Sequence, residues 1–332
     1  ESIWFSLCFP CLSRRRWQSV SIISGDRTHP GLISSRSPPY ARFRCIWVHC
    51  ILLFLCACTA SISDDIGPEE LASRLPSNWQ VGTHAQDGIA VVVAMPVPTQ
   101  AVAVGEVLTV FIEGDGNAWS SRSRPSPDPT PKNPLALKLA LLGDGNARIA
   151  YMARPCQFEA RAWPGCNPNL WTHERYGSEG LAAMSGALDV IKGEGEQVLI
   201  VGYSGGGVMA ALLAAARDDV VGFITVAANL DTQAWTELHQ VSPLEGSLVP
   251  LAYGQRLAKI PQVHLVGGRD EIVPPRITDS YLRKVAISGQ MHRITQAEFD
   301  HHCCWVREWP TLHARAMEQL RRQIGAGGSE AE

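Results

Sequence analysis

The segment that most restricts what this chain can fold into runs from Gln197 to Ala216. It begins with the apolar run Val198-Leu199-Ile200-Val201, turns through Gly202-Tyr203-Ser204-Gly205-Gly206 and continues into the alanine-rich stretch Val208 to Ala216. Four consecutive branched or long apolar residues suit a strand buried on both faces, and the run after the glycines suits a helix. The turn between them must be sharp, and glycines at 202 and 206 supply the room that such a turn needs. Ser204 stands at its tip, with the amino end of the helix favouring negative charge beside it. A plainer reading of the same five residues is a glycine-rich turn with a capping serine, or a phosphate-binding turn.

The rest of the body repeats the strand-then-helix pattern. Strands are expected over 89–94, 107–112, 148–152, 197–201, 222–227, 262–266 and 292–295, and helices over 134–142, 178–191, 206–216, 275–285 and 305–324. This alternation predicts an α/β fold with a mostly parallel central sheet and helices on both faces. Its chemistry should lie beyond the carboxyl ends of the strands. Two stretches break the pattern. Residues 119–134 are rich in proline and serine and suit neither a regular helix nor a central strand. Residues 228–254 follow a strand where an insertion would overhang the sheet as a small lid.

Two further strand ends carry polar residues of the right kind. The run Gln262 to Val266 is followed by Gly267-Gly268-Arg269-Asp270, and the run His292 to Thr295 by Asp300-His301-His302-Cys303-Cys304-Trp305. A serine hydroxyl is a weak nucleophile until a base takes its proton, and the base is held in the correct tautomer by a carboxylate. Ser204, Asp270 and a histidine at 301 or 302 arrive in the chain order that such a group requires. His301 is favoured as the base, with His302 left facing solvent or in a supporting place. Taken alone, Asp270 also suits a helix N-cap ahead of Pro275. His264, His292 and His313 lie inside elements and read as packing or surface residues.

With these motifs in place, the sequence from about Ala85 to Ile324 resembles the α/β-hydrolase superfamily, and within it exported or lipoprotein-type bacterial serine hydrolases. The resemblance implies an eight-stranded type of sheet, no metal and no organic cofactor. An oxyanion hole is expected from the amide of Gly205 and that of Asp115 or Gly116, in the loop after Val107 to Ile112. That loop reads Glu113-Gly114-Asp115-Gly116-Asn117 and lacks the histidine that many relatives have there. The expected reaction is hydrolysis of a carboxylic ester through an acyl-enzyme. The alternatives are a peptidase or amidase of the same mechanism, and a non-catalytic binding lipoprotein on the same fold. Fold alone does not decide among them.

Substrate signals are sparse. Tyr203, Trp119 and Trp235 are candidate substrate contacts, and Trp163, Trp171, Tyr176 and Trp305 fall in or beside the same loops. They suit an apolar acyl or aryl group, or simply pin long loops to the sheet. Arg161, Glu174 and Arg175 suit either a charged substrate end or a solvated loop.

The first sixty residues read as an address. Residues 42–60 have a basic start at Arg42 and Arg44, an apolar run from Ile46 to Leu55, and small residues after it, which is the layout of an export signal. Leu55-Cys56-Ala57-Cys58 resembles a lipobox, in which the last cysteine takes the lipid; Cys56 stands where a small residue is usual. An ordinary signal cleaved after Ala57 or Ala60, or an uncleaved anchor, fits the same stretch. Four parts are therefore expected: 1–41 outside the fold, 42–60 as the signal with Cys58 lipidated, 61–84 as connecting chain, and 85–326 as the hydrolase domain. The protein would be exported, to the periplasmic face of a bacterial membrane or free in the periplasm or medium.

Seven arginines against Glu1 and Asp26 sit in the first fifty residues, while the whole chain has a formal net charge of -3. The body is thus acidic and lacks the basic stripe of a nucleic-acid binder, so a small ester or acyl substrate is the expected partner. The cysteines show no zinc-ligand spacing. In an oxidising compartment Cys156 and Cys166 would close the loop between them as a disulfide. Cys303 and Cys304 suit either a vicinal disulfide or two buried thiols at a helix start.

Overall fold

A computed structural model describes residues 67–98, 105–143, 147–159, 162–285 and 290–328. The signal segment and Cys58 lie outside these residues, as does Arg161. Among the described residues ten strands are formed in chain order: β1 (Trp79–Gln86), β2 (Ile89–Pro96), β3 (Val107–Ile112), β4 (Trp119–Ser121), β5 (Arg124–Pro125), β6 (Arg148–Met152), β7 (Gln197–Tyr203), β8 (Val220–Val226), β9 (Gln262–Gly267) and β10 (Met291–Gln296). Eight of them make one sheet in the order β1-β2-β6-β3-β7-β8-β9-β10. β2 pairs antiparallel with both neighbours, and every later pair in the sheet is parallel.

Alternation along the strands sends successive residues to opposite faces of the sheet. Val91, Val110, Ile112, Val198, Ile200 and Phe223 pack on one side, against the helices Ser178–Ile191 and Gly205–Ala216. Val92, Phe111, Leu199, Val201, Ile224 and Leu265 pack on the other, against Leu135–Ala140 and Trp305–Gly328. Each fully buried aliphatic side chain contributes roughly 1.5–3 kcal/mol of transfer free energy. The helix Gly205–Ala216 is buried along nearly its whole length, and its glycines and alanines let it lie close to β7 and β8.

The fold begins earlier than expected. Residues 67–84 contain the helix Pro68–Ser73 and most of β1, so this part of the supposed connecting chain belongs to the domain. β1 is an edge strand, Trp-Gln-Val-Gly-Thr-His-Ala-Gln, with most of its residues partly or fully exposed. It therefore carries no apolar alternation for a reader of the sequence to detect. Residues 119–134 form the separate hairpin β4-β5 and turns. Residues 228–254 form the helix Thr232–His239, turns and a 3-10 segment Pro250–Tyr253. Asp231, fully buried, caps that helix through Ala234 N–H and accepts from Ser280 Oγ and Lys284 Nζ, tying the insertion to the helix Pro275–Val285. Among the described residues no helix is long and apolar enough to cross a membrane.

Candidate active site

The carboxyl ends of β3, β7, β8, β9 and β10 bring five loops to one edge of the sheet. Ser204 follows β7 with φ 51° and ψ -123°, a conformation that costs a non-glycine residue about 1–3 kcal/mol. Crowding imposes it: a Cβ at Gly202 would stand 2.3 Å from Gly206 O, and one at Gly206 2.4 Å from Glu113 O. The Ser204 side chain makes no helix-capping hydrogen bond, so the capping-serine reading does not describe it. Its Oγ lies instead 3.1 Å from His301 Nε2.

His301 Nδ1 is 2.8 Å from Asp270 Oδ2. A carboxylate can only accept, so Nδ1 carries the proton and Nε2 is left to accept from the Ser204 hydroxyl. Asp270 is buried, and its Oδ1 accepts from the amides of Ile272 and Val273. It thus caps a turn with one oxygen and orients the imidazole with the other. His302 is exposed and faces Tyr203, whose Oη is 3.1 Å from His302 Nδ1 and 3.2 Å from the His301 carbonyl. Trp305 Nε1 donates to the carbonyls of Asp300 and His301. Asp300 accepts from the amides of His302 and Cys303, and these backbone donors, Cys303 foremost, hold its carboxyl below the usual range. Cys303 and Cys304 are joined as a vicinal disulfide; Cys303 is exposed, so the pair is not two buried thiols.

The loop after β3 lies against the elbow: a Cβ on Gly114 would touch the Tyr203 ring and Ser204 Cβ at 3.1–3.4 Å. Gly114 N–H donates to Glu113 Oε1 and Asn117 N–H to Pro129 O, while the amides of Asp115 and Gly116 between them have no acceptor among the described residues. Gln157 Nε2 holds the Gly114 carbonyl at 2.9 Å. Because C=O and N–H of one peptide point oppositely, this turns the Asp115 N–H away from Gln157.

Behind this loop is a charged cluster. The Asp115 carboxylate accepts from Arg154 Nη1 at 2.9 Å and Arg175 Nη1 at 2.8 Å, and Tyr176 Oη approaches it at 3.2 Å. Burial opposes its ionisation, but the two guanidinium groups outweigh burial and hold Asp115 below the usual carboxylate range. Arg175 is buried and bonded to Thr172 O, so it is not part of a solvated loop. Glu113 is buried beneath the same loop; burial pushes its carboxyl up to about 7, against the lowering influence of the amides of Gly114, Ala136 and Leu137.

These loops enclose a cavity of about 640 Å³. Ser204, His301, Tyr203, Trp119, Trp235 and Asn229 all line it. Of the aromatic candidates, Trp119 packs edge-on to His173 and Trp235 donates to Ile272 O. Tyr203 reaches the cavity with its ring, its hydroxyl being held by the histidine loop. Trp171, Tyr176 and Trp305 are buried as loop anchors, and Trp163 bonds to Glu159. Cys156 and Cys166 are disulfide-bonded, stapling the segment that carries Gln157. His264 is a core histidine between Thr225 and Gln262, and burial first, then His292, lowers it to about 3. Among the described residues no group of three or more His, Cys, Asp or Glu is placed to hold a metal ion.

Nothing in the sequence singles out Glu113, Arg154, Tyr176 or Asn229 for a place at the loop after β3. Only the glutamate in Ile112-Glu113-Gly114, directly at a strand end, offered a local signal.

Sheet order and site position together define the α/β-hydrolase fold, with helices on both faces of a mostly parallel sheet. Solved structures with this fold include an esterase of Pyrococcus furiosus, Pf2001, at 10% identity and a TM-score of 0.50, over 74% of this chain and 91% of that one. Est1E from Butyrivibrio proteoclasticus aligns at 12% identity and a TM-score of 0.50, over 74% of this chain and 99% of that one. No family model matches the sequence, and no curated protein does.

Proposed function

We propose that this chain is a serine hydrolase that cleaves a carboxylic ester through Ser204, His301 and Asp270. The observation that carries the reading is the continuous chain from Ser204 Oγ to His301 Nε2, 3.1 Å, and from His301 Nδ1 to Asp270 Oδ2, 2.8 Å. His301 Nε2 takes the hydroxyl proton as Ser204 Oγ bonds to the ester carbonyl carbon, and the carbonyl oxygen becomes an oxyanion. The amides of Gly205 and Asp115 are its donors in this reading, Gly116 being more exposed and Asp115 N–H turned by the Gln157 clamp. Collapse breaks the bond to the leaving oxygen, which receives the proton from His301. Water then enters by the same steps, and the acid and free Ser204 result. Asp270, hydrogen-bonded to Nδ1, orients and stabilises the imidazolium.

A fluorophosphonate probe tests the reading. It should label the wild-type chain and leave Ser204→Ala unlabelled; a folded wild type that resists the probe and cleaves no p-nitrophenyl ester would overturn it.

We also propose that residues 42–60 export the chain and that Cys58 carries a lipid, supported by the basic start, the apolar run and the small residues before that cysteine. Incorporation of a fatty-acid analogue, abolished in Cys58→Ala, is the expected result. An exported chain without label would instead fit an ordinary cleaved signal.

A further inference from the structure

We infer that Asn229 reads a neutral hydrogen-bond donor, an amide N–H or a hydroxyl, on the acyl part of the substrate. This rests on the hydrolase reading above and names the substrate class that its cavity selects.

Asn229 follows β8, lines the cavity with Ser204 and His301, and is only 3% exposed. Its side-chain orientation is set from behind. Tyr176 Oη faces the Asp115 carboxylate, which can only accept, so the hydroxyl proton points there and its lone pair accepts from Asn229 Nδ2 at 3.4 Å. The planar amide must then turn Oδ1 the other way, and Oδ1 has no hydrogen-bond partner. A buried carbonyl oxygen without a donor has lost its water and gained nothing in return, which is destabilising. Apolar neighbours would be better served by an apolar residue at this place, whereas a substrate group that donates to Oδ1 recovers the cost on binding.

The surroundings narrow the donor. Arg154 and Arg175 both flank Asp115 and Tyr176, so two guanidinium charges against one carboxylate leave this wall positive. An ammonium would be repelled there, which leaves a neutral N–H or O–H. The wall also belongs to the oxyanion side. A Cβ on Gly205 would meet Asp115 Oδ1 and, at 2.8 Å, Tyr176 Oη, so the amide proposed as an oxyanion donor stands over the same cluster that orients Asn229. The leaving group must stay within reach of His301 Nε2 to receive its proton, and the acyl part is what remains beside the oxyanion donors. Substrates of this class are esters or amides of N-acylated amino acids or of hydroxy acids.

The test compares matched p-nitrophenyl esters. One pair is N-acetylalanine against 2-methyl-4-oxopentanoate, which replaces N–H by CH2; the other is 2-hydroxypropanoate against 2-methylpropanoate. The wild type should favour the donor-bearing member of at least one pair by about tenfold or more in kcat/KM. The pair that shows the preference distinguishes amide from hydroxyl. Asn229→Ala should lower kcat/KM most on the donor-bearing ester, so that the ratio falls towards one. Equal turnover within both pairs by the wild type would overturn the inference without any variant. So would an Asn229→Ala protein that loses the same factor on all four esters, because that is the mark of a structural role through Tyr176. Absence of Ser204-dependent turnover on every ester would instead sink the hydrolase reading, and this subsite with it.

Discussion

The site edge of the sheet carries two acid–base pairings that look alike in composition and differ in what they can do. On one side Asp270 faces His301, a base whose proton can leave; on the other Asp115 faces Arg154 and Arg175, whose protons cannot. The first arrangement has an open face toward Ser204, so its proton can be delivered and retrieved. In the second, Asp115, which itself lines the cavity, is tied to two guanidinium groups and to Tyr176 Oη, and that holds its loop in place. A carboxylate at a strand end is therefore no evidence of chemistry until its partner is known.

Removing the mobile half should have the largest effect. Ser204→Ala or His301→Ala is expected to lower kcat by about 10⁴- to 10⁶-fold, and Asp270→Asn by about 10⁴-fold, on a p-nitrophenyl ester. A loss of less than tenfold in any of the three would erase the contrast between the two pairings.

Breaking the static half should appear first in stability. Arg175→Ala leaves Asp115 paired with Arg154 alone and is expected to cost roughly 1.5–3 kcal/mol in urea denaturation, the range for a lost hydrogen bond to a charged group. Asp115→Asn with Arg175→Ala should cost less than the sum of the single changes, since the two share one ion pair.

Glu113 sharpens the contrast because it is a carboxyl of the static side that does titrate near neutrality. With its carboxyl raised from 4.5 to about 7, the folded chain holds a proton that the unfolded chain has released. The stability this contributes is full below about pH 4.5 and lost as the pH rises through about 7. Glu113→Gln has no such dependence, so the variant should gain on the wild type by up to about 3 kcal/mol between those limits. A gap independent of pH would show that Glu113 keeps its charge state on folding.

The disulfide Cys156–Cys166 supports the static side only, and its removal by Cys156→Ser with Cys166→Ser should cost about 2–3 kcal/mol of stability by loop entropy. Labelling of Ser204 should survive it at low temperature. Smallest of all, His302→Ala should change kcat less than tenfold, since the exposed ring touches Tyr203 rather than Ser204. A loss as large as that of His301→Ala would reassign the base.

Much of the fold was legible because its signals are local. The runs of β7, β8 and β9 are mostly apolar, and the helices Ser178–Ile191 and Pro275–Val285 lie where their composition places them. β1 was invisible because an edge strand half open to water needs no apolar pattern.

Ser204 and Asp270 were readable for a related reason, since Ser204 directly follows one buried strand and Asp270 stands three residues beyond another, so a short turn sets where each side chain points. Choosing between His301 and His302 needed the third dimension: the two rings pack edge-on with centroids 5.1 Å apart, and only Asp270, 31 residues back, shows which one faces the serine. The polar wall across the cavity was less legible still. Asp115, Arg154, Arg175 and Asn229 are spread over more than a hundred residues and meet only when β6, β3, β7 and β8 are laid in that order in the sheet. Local sequence thus determined that a serine stands on a strained turn above a parallel sheet. Which histidine it meets, and which polar groups stand across the cavity, was decided by long-range packing, because hydrogen bonds and ion pairs act over a few ångströms of space whatever their separation along the chain.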